Sequence, residues 1–324
     1  MLSASFIIIN YNGKKFLHRL LNSLFVQDNQ SFEIIIIDNG STDNSINFIT
    51  KNFPSIKLIK SLNVGYGQGC NIGAKYAIGK FLFFLNPDIY LPDNFLSRNL
   101  SFYRKKNKLL NHPIGCITSI PLNFNSNPSV INYNSGGIID IFGTPQRKSK
   151  PEIFDNSFVL LGACLTITRQ LFNKIKGFNP NFFLYGEEID LCWRLKIFGY
   201  QNLIDKNNHF FHLGGGSNFG RNRPKQVALM TYGCFIDSIT NYQTITLLFL
   251  LPLYLVYLLS LLLFLPFFKN LNFNYTKELL FAFRQFLKDY NKIFKFRNFV
   301  QKNRTVTDWQ LRKYISLIPS ILSR

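Results

Sequence analysis

Three of the chain's 17 acidic residues fall within four positions of one segment, Phe182-Phe183-Leu184-Tyr185-Gly186-Glu187-Glu188-Ile189-Asp190-Leu191-Cys192-Trp193-Arg194. Asp190 and Arg194 stand at i,i+4 and can pair along a helix. Glu187 and Glu188 open that helix and point in different directions. One of them can therefore face a cleft and take a proton from a hydroxyl as general base. The same three acids also suit the positive end of a helix dipole, and spacing alone leaves both roles open.

Further oxygen-bearing residues follow apolar runs. Glu33–Ile37 leads into Asp38-Asn39-Gly40-Ser41-Thr42-Asp43, which puts Asp38 where a buried strand ends. There it can accept from a base N–H or a ribose hydroxyl. Asn39-Gly40 also reads as a turn and Asp43 as a helix N-cap. Phe81–Leu85 leads into Asn86-Pro87-Asp88. Oxygen ligands at i and i+2 can face one Mg²⁺ or Mn²⁺ that also holds a diphosphate, with Asp88 as the anionic contact; a lone N-P-D is more often a turn. In Asn63-Val64-Gly65-Tyr66-Gly67-Gln68-Gly69-Cys70-Asn71-Ile72-Gly73, glycines let backbone N–H groups approach an anion. The run misses the dinucleotide fingerprint at Cys70, where Gly or Ala is required. His209 and His212 lie three apart before a glycine run, and four histidines in all make a His-only metal site a poor reading.

The elements that must hold these residues are legible as apolar runs of a few residues each. Phe6–Ile9, Glu33–Ile37, Ile56–Ile59 and Phe81–Leu85 fit strands buried on both faces. Phe16, Leu17, Leu20, Leu21, Leu24 and Phe25 between the first two repeat at helical spacing. This alternation predicts βαβ units and an open α/β sheet, whose ligands sit beyond the carboxyl ends of the strands. A loop or small hairpin is expected over Pro121–Pro151, order again over Phe158–Thr168, and a helix over Glu187–Phe198 stopped by Gly199.

Lys and Arg exceed Asp and Glu by 37 to 17, a net charge of +20, so an acidic partner is expected. Five scattered cysteines without a C-x-x-C pair speak against a disulfide framework or a Cys-rich zinc site. With no basic n-region before Phe6–Ile9, the body reads as cytosolic and reduced. No nucleic-acid-binding motif accompanies the charge, which sits beside apolar sequence instead. Residues 244–268 carry no charge, yet Pro252 and Pro266 interrupt them. A re-entrant or interfacial hairpin is expected there rather than a single crossing. After it, Leu279, Phe283, Phe286, Tyr290 and Ile293, with Leu280, Leu287 and Phe294, form one stripe opposite Arg284, Lys288, Lys292 and Lys295. A basic amphipathic helix of this kind, about 277–301, suits an anionic membrane surface. A helix packed on the body is the alternative. The expected division is 1–240 for catalysis and 241–324 for membrane association.

Taken in order, these segments resemble the inverting glycosyltransferases of family two, with the GT-A fold, in the bacterial rhamnosyltransferase-like branch. The resemblance rests on Ile7-Ile8-Ile9-Asn10-Tyr11-Asn12-Gly13, the Asp38–Asp43 turn, Gly69-Cys70-Asn71-Ile72-Gly73 and Leu85–Asp88. It continues through Gly162-Ala163, Gly177-Phe178-Asn179, Phe183–Arg194, and His212 with Ser217.

The resemblance implies a nucleotide-sugar donor, dTDP- or UDP-linked, bound by Asn12, Asp38, Asn39, Gly69, Asn71 and Asn86, with Asp38 on the base. It implies a divalent metal, Mg²⁺ or Mn²⁺, at Asp88, the second acid of the family's D-x-D, joined by His212. Glu188 falls where the family usually has the Asp of its Glu-Asp pair, the general base; the longer arm leaves Glu187 and Asp190 open. The uncharged run and basic helix of the tail then suggest an acceptor that is a glycan or a polyprenyl-linked sugar, at the cytoplasmic face of a bacterial inner membrane. Two rivals stand beside this reading. One is a dinucleotide-dependent oxidoreductase using the Gly65–Gly73 loop, although its fingerprint belongs after the first strand and not the third. The other is a catalytically inactive, membrane-bound binding protein.

Overall fold

The computed structural model describes residues 2–123, 135–147, 156–213, 223–264 and 273–318. The four apolar runs of the first half become parallel strands β1 (Ala4–Asn10), β2 (Phe32–Asp38), β3 (Lys57–Lys60) and β4 (Phe81–Leu85), side by side in the order β3-β2-β1-β4. Helices α1 (Lys14–Phe25), α2 (Ser45–Asn52) and α3 (Tyr66–Tyr76) connect them. All of β1 and β4 is buried, which is why these strands are continuously apolar instead of alternating. Register pairs Asn10 with Asp38 and Ile8 with Leu85. The polar residues after β1, β2 and β4 therefore emerge along one edge of the sheet.

Beyond β4 the sheet becomes mixed. The chain continues through β5 (Ile89–Tyr90), α4 (Phe95–Leu109) and β6 (Ile114–Asn123). In the stretch expected as loop or hairpin, residues 121–123 instead end β6, and a hairpin of β7 (Gly136–Asp140) and β8 (Pro145–Arg147) follows among the described residues. Short strands β9 (Asn156–Ser157) and β10 (Val159–Leu160) precede β11 (Cys164–Thr168), which runs antiparallel between β4 and β6. After α5 (Arg169–Lys174) and α6 (Glu187–Ile197), β12 (Gln201–His212) lies parallel to β6 and antiparallel to β5. The result is an open, mixed α/β sheet with helices against both faces.

Helix α6 ends near Gly199, as its sequence predicts, and its Asp190–Arg194 spacing produces a buried ion pair. Arg194 Nε donates to Asp190 Oδ2 at 2.6 Å, and both side chains are wholly buried. The remaining guanidinium nitrogens donate to the carbonyls of Ile175 at 2.8 Å and Gly177 at 2.7 Å. Asp190 Oδ1 accepts from Asn179 and Asn241.

The tail comprises α7 (Arg223–Asn241), α8 (Thr244–Phe264), α9 (Phe273–Lys302), α10 (Asp308–Leu311) and β13 (Ile315–Ser316), which pairs with β7. Helix α9 packs along α7, with Ile293 buried against Ile236, Ile239 and Phe182, and with Phe286 beside them. Phe296 lies over the Arg194 guanidinium, 5.2 Å from its ring centre. The two expected segments, 1–240 and 241–324, thus share one buried interface.

Part of the amphipathic stripe therefore serves the body. Leu280, Phe283, Leu287 and Tyr290 remain exposed, next to exposed Arg284, Lys288, Lys292 and Lys295. Helix α8 exposes Ile245, Leu248, Phe249, Leu255 and Val256, while Tyr254 is buried with its hydroxyl donating to the Phe142 carbonyl. Among the described residues no helix is long and apolar enough to cross a membrane. The side chain of Leu279, and residues 265–272 with Pro266, lie outside the described residues.

Removing one partner of a buried ion pair strands the other charge. We therefore expect Arg194→Met to lose about 3–5 kcal/mol of folding stability. Urea unfolding checks this, through a lower midpoint at unchanged slope; a loss below about 1 kcal/mol would contradict the pair's structural weight.

Candidate active site

A cavity of about 320 Å³ opens at the carboxyl ends of β1, β2 and β4. Its walls bring together six of the residues expected from sequence: Asn39, Asn86, Asp88, Glu187, Glu188 and His212. The antiparallel pairing of β12 with β5 puts His212 opposite Ile89, and Leu213 N–H donates to the Asp88 carbonyl at 3.1 Å. His212 Nε2 consequently lies 3.4 Å from Asp88 Oδ1.

The first turn of α6 supplies the two glutamates of the cavity lining. Glu187 is 5% exposed and its Oε2 has no hydrogen-bond partner among the described residues. Burial, with the Glu188 charge beside it, pushes the Glu187 carboxyl well above the usual carboxylate range. Glu188 is half-buried, packed against the Gly162 backbone, where a Cβ would come within 3.2 Å of its Cβ and Cγ.

Five expected residues are not among those lining this cavity. Asp38 is 1% exposed beneath the floor, its oxygens taken by Asn10 Nδ2 at 2.9 Å and Ser41 N–H at 3.1 Å. It orders the turn that presents Asn39. Asn12 faces a separate open groove with Lys14, Lys15 and His18, and its Oδ1 accepts from Thr42 N–H at 2.7 Å. Asn71 is used twice by one residue, its Oδ1 accepting from Phe178 N–H and its Nδ2 donating to the Phe178 carbonyl, each at 2.9 Å. Gly69 lies against Ile9, where a Cβ would meet its Cγ2 at 3.0 Å. Asp190 is spent on Arg194.

The glycine-rich run has a packing role that the phosphate reading did not anticipate. Gly69 and Gly73 bring α3 close onto β1, where a Cβ at Gly73 would overlap Ile7. Gly65, at φ +87°, leaves no room for a Cβ because the Phe183 carbonyl occupies that space and accepts from Tyr66 N–H at 3.1 Å. This contact ties the loop before α6 to the loop after β3.

Tyr185 and Asn63 carry no expected role in the sequence, yet both line the cavity. Asn63 Oδ1 accepts from Asn39 Nδ2 at 3.1 Å and from Gly65 N–H at 3.2 Å, a local Asx turn that the Asn-x-Gly spacing could have signalled.

Asp88 and His212 offer one hard oxygen and one imidazole nitrogen. Two ligands of a single Mg²⁺ or Mn²⁺ at roughly right angles lie about 3 Å apart, so this pair fits such an ion if phosphate oxygens and water complete its shell. Among the described residues no group of three or more His, Cys, Asp or Glu could hold a metal unaided.

An open α/β sheet with a carboxylate-lined cavity at its strand ends is the form of a ligand-binding α/β protein. The family model described as glycosyl transferase family 2 matches residues 5–176, and the chain belongs to that family. Agl10 of Haloferax volcanii, a low-salt glycan biosynthesis hexosyltransferase, is 25% identical over 59% of this chain; the match spans 61% of that protein's length. An N-acetylglucosaminyl-diphospho-decaprenol L-rhamnosyltransferase of Mycobacterium tuberculosis is 23% identical over 64% of this chain and 74% of its own. Among solved structures, S. aureus TarS in complex with UDP aligns with a TM-score of 0.50 at 15% identity, covering 93% of this chain and 92% of that one. GalNAc-T7 with UDP, GalNAc and Mn²⁺ aligns with a TM-score of 0.54 at 19% identity, covering 65% and 44%.

The Gly65 contact generates a direct test. Gly65→Ala must displace the loop bearing Phe183 and also strain a left-handed backbone. We expect a lower melting temperature and at least roughly tenfold weaker nucleotide binding, since a displaced wall no longer orients its ligand. Calorimetric titration of UDP checks the second effect, and wild-type affinity in the variant would contradict the assignment.

Proposed function

We propose that the protein transfers a sugar, rhamnose or a similar hexose, from a nucleoside-diphosphate donor to an acceptor hydroxyl with inversion. The observation that carries this reading is the shared cavity, which Asp88, His212 and Glu188 all line at the carboxyl ends of parallel strands. Asn39, ordered by Asp38 and Asn63, faces the nucleoside; Asn86 and Asp88 face the diphosphate.

Glu188 is the base. Its neighbour Glu187 is 5% exposed, with its carboxyl raised by burial and by the Glu188 charge, whereas Glu188 is half-buried on the cavity lining. Glu188 takes the acceptor's hydroxyl proton as that oxygen attacks the anomeric carbon from the side opposite the nucleotide. The C–O bond to the diphosphate breaks, its electron pair leaves with the nucleotide, and one displacement inverts the centre. No covalent enzyme intermediate is required. A Mg²⁺ or Mn²⁺ held by Asp88 and His212 would neutralise charge on the departing diphosphate.

The acceptor we propose is a glycan or a polyprenyl-diphosphate-linked sugar at the cytoplasmic face of the membrane. Support comes from the exposed apolar side chains of α8 and α9 beside Arg284, Lys288, Lys292 and Lys295, which suit an anionic lipid surface. The mycobacterial relative, whose acceptor is a diphospho-decaprenol-linked sugar by name, points the same way.

Glu188→Gln keeps the size and removes the base. We expect transfer from dTDP-rhamnose or UDP-sugars to fall by about 10²–10⁴, with nucleotide affinity unchanged. Transfer at the wild-type rate would remove Glu188 from the mechanism.

A further inference from the structure

The loop Phe182–Gly186 is clamped from three sides. Phe182 is buried among Ile236 and Ile239 of α7 and Ile293 of α9. The Phe183 carbonyl is seated over Gly65 and accepts from Tyr66 N–H. The Tyr185 carbonyl faces Gly233 of α7, where a Cβ would approach it to 2.6 Å.

Between these clamps the backbone takes two left-handed steps, at Tyr185 (φ +68°) and Gly186 (φ +100°). Glycine adopts this conformation freely, while a bulky L-residue rarely does, so the tyrosine is strained where a glycine would not be. Its side chain gives the fold little in return. It is half-buried, and among the described residues neither its ring nor its hydroxyl has a stacking or hydrogen-bond partner. It does line the cavity, on the wall that also carries Leu184 and Glu188. Strain held at a residue that contributes only to a cavity wall marks a functional position.

We propose that Tyr185 is the acceptor platform: its ring stacks on the face of the acceptor sugar and holds the attacking hydroxyl at Glu188. This inference rests on the glycosyl-transfer reading above. A base must touch the hydroxyl it deprotonates, so an aromatic face on the same wall, three residues before Glu188, meets the acceptor and not the nucleotide. The donor's diphosphate end is marked by Asp88 and His212, which come from other elements of the cavity lining. An aromatic face covers the apolar C–H side of a sugar ring while leaving its hydroxyls free for the reaction. The clamp through Phe182 also joins this platform to α9, whose exposed face is the one proposed to meet lipid.

The test uses the full chain with octyl N-acetyl-β-glucosaminide as acceptor probe and dTDP-rhamnose, UDP-glucose or UDP-N-acetylglucosamine as donor. Nucleotide release is followed with and without acceptor for wild type, Tyr185→Phe and Tyr185→Leu. Tyr185→Leu should raise the acceptor KM roughly tenfold or more while the donor KM and acceptor-independent donor hydrolysis stay within about twofold. Tyr185→Phe, which keeps the ring, should restore the acceptor KM to within about threefold of wild type. An unchanged acceptor KM in Tyr185→Leu would overturn the platform. So would equal losses in both variants, which would assign the effect to the hydroxyl, or a parallel rise in donor KM, which would assign it to a disturbed fold. Failure of the wild type itself to turn over any donor would instead remove the glycosyl-transfer reading, and the platform with it.

Discussion

The structure depends on one buried guanidinium. Arg194 binds Asp190 within its own helix and the carbonyls of Ile175 and Gly177 at the start of the loop that returns to that helix. Asp190 in turn accepts from Asn179 in the same loop and from Asn241 at the end of α7. Phe296 of α9 closes the other face of Arg194. Four segments therefore meet at a single charge that has no access to water. Since an uncompensated charge there costs several kcal/mol, the arrangement has few alternatives of comparable energy. What it fixes is the first turn of α6, and with it the position of Glu188.

The other half of the site is fixed by strand register. Pairing Asn10 with Asp38 brings the ends of β1 and β2 level, and the buried carboxylate of Asp38 organises the turn after β2 from below. The β12–β5 pairing delivers His212 to Asp88 from a position 124 residues later in the chain. Backbone hydrogen bonds thus bring the carboxylate and imidazole together, while a buried salt bridge anchors the helix that carries Glu188, the proposed base. Gly65, pressed against the Phe183 carbonyl, is the point where the loop after β3 meets the loop before α6.

Much of this was legible in the sequence, for physical reasons that differ by element. Strands buried on both faces announce themselves as unbroken apolar runs, so β1 to β4 and their parallel order followed from local pattern. The Asp190–Arg194 pair followed from helical spacing. Less local features were ambiguous. The apolar stripe of α9 has the same periodicity whether it meets α7 or a lipid surface, and the structure divides it, with Phe286 and Ile293 turned inward and Phe283 and Leu287 left exposed. Glycines that admit a phosphate cannot be told by spacing from glycines that admit a neighbouring strand, and Gly69 and Gly73 are of the second kind. Asp38 reads as a ligand contact because strand ends bind ligands, but its partner Asn10 stands 28 residues away, in a hydrogen bond that no single segment displays. Tyr185 shows no periodic signal at all, since its distinction is a backbone angle imposed by contacts from Gly65 and α7.

The central claim is that the cavity between Asp88 and Glu188 is a nucleotide-sugar site. Calorimetric titration of dTDP, UDP, GDP and NAD into the intact chain, each with and without Mn²⁺, tests it most directly. The account predicts that a nucleoside diphosphate binds, more tightly with Mn²⁺, and that Asp88→Ala abolishes the increment due to the metal. Binding of NAD alone, indifferent to Mn²⁺ and to Asp88, would contradict it.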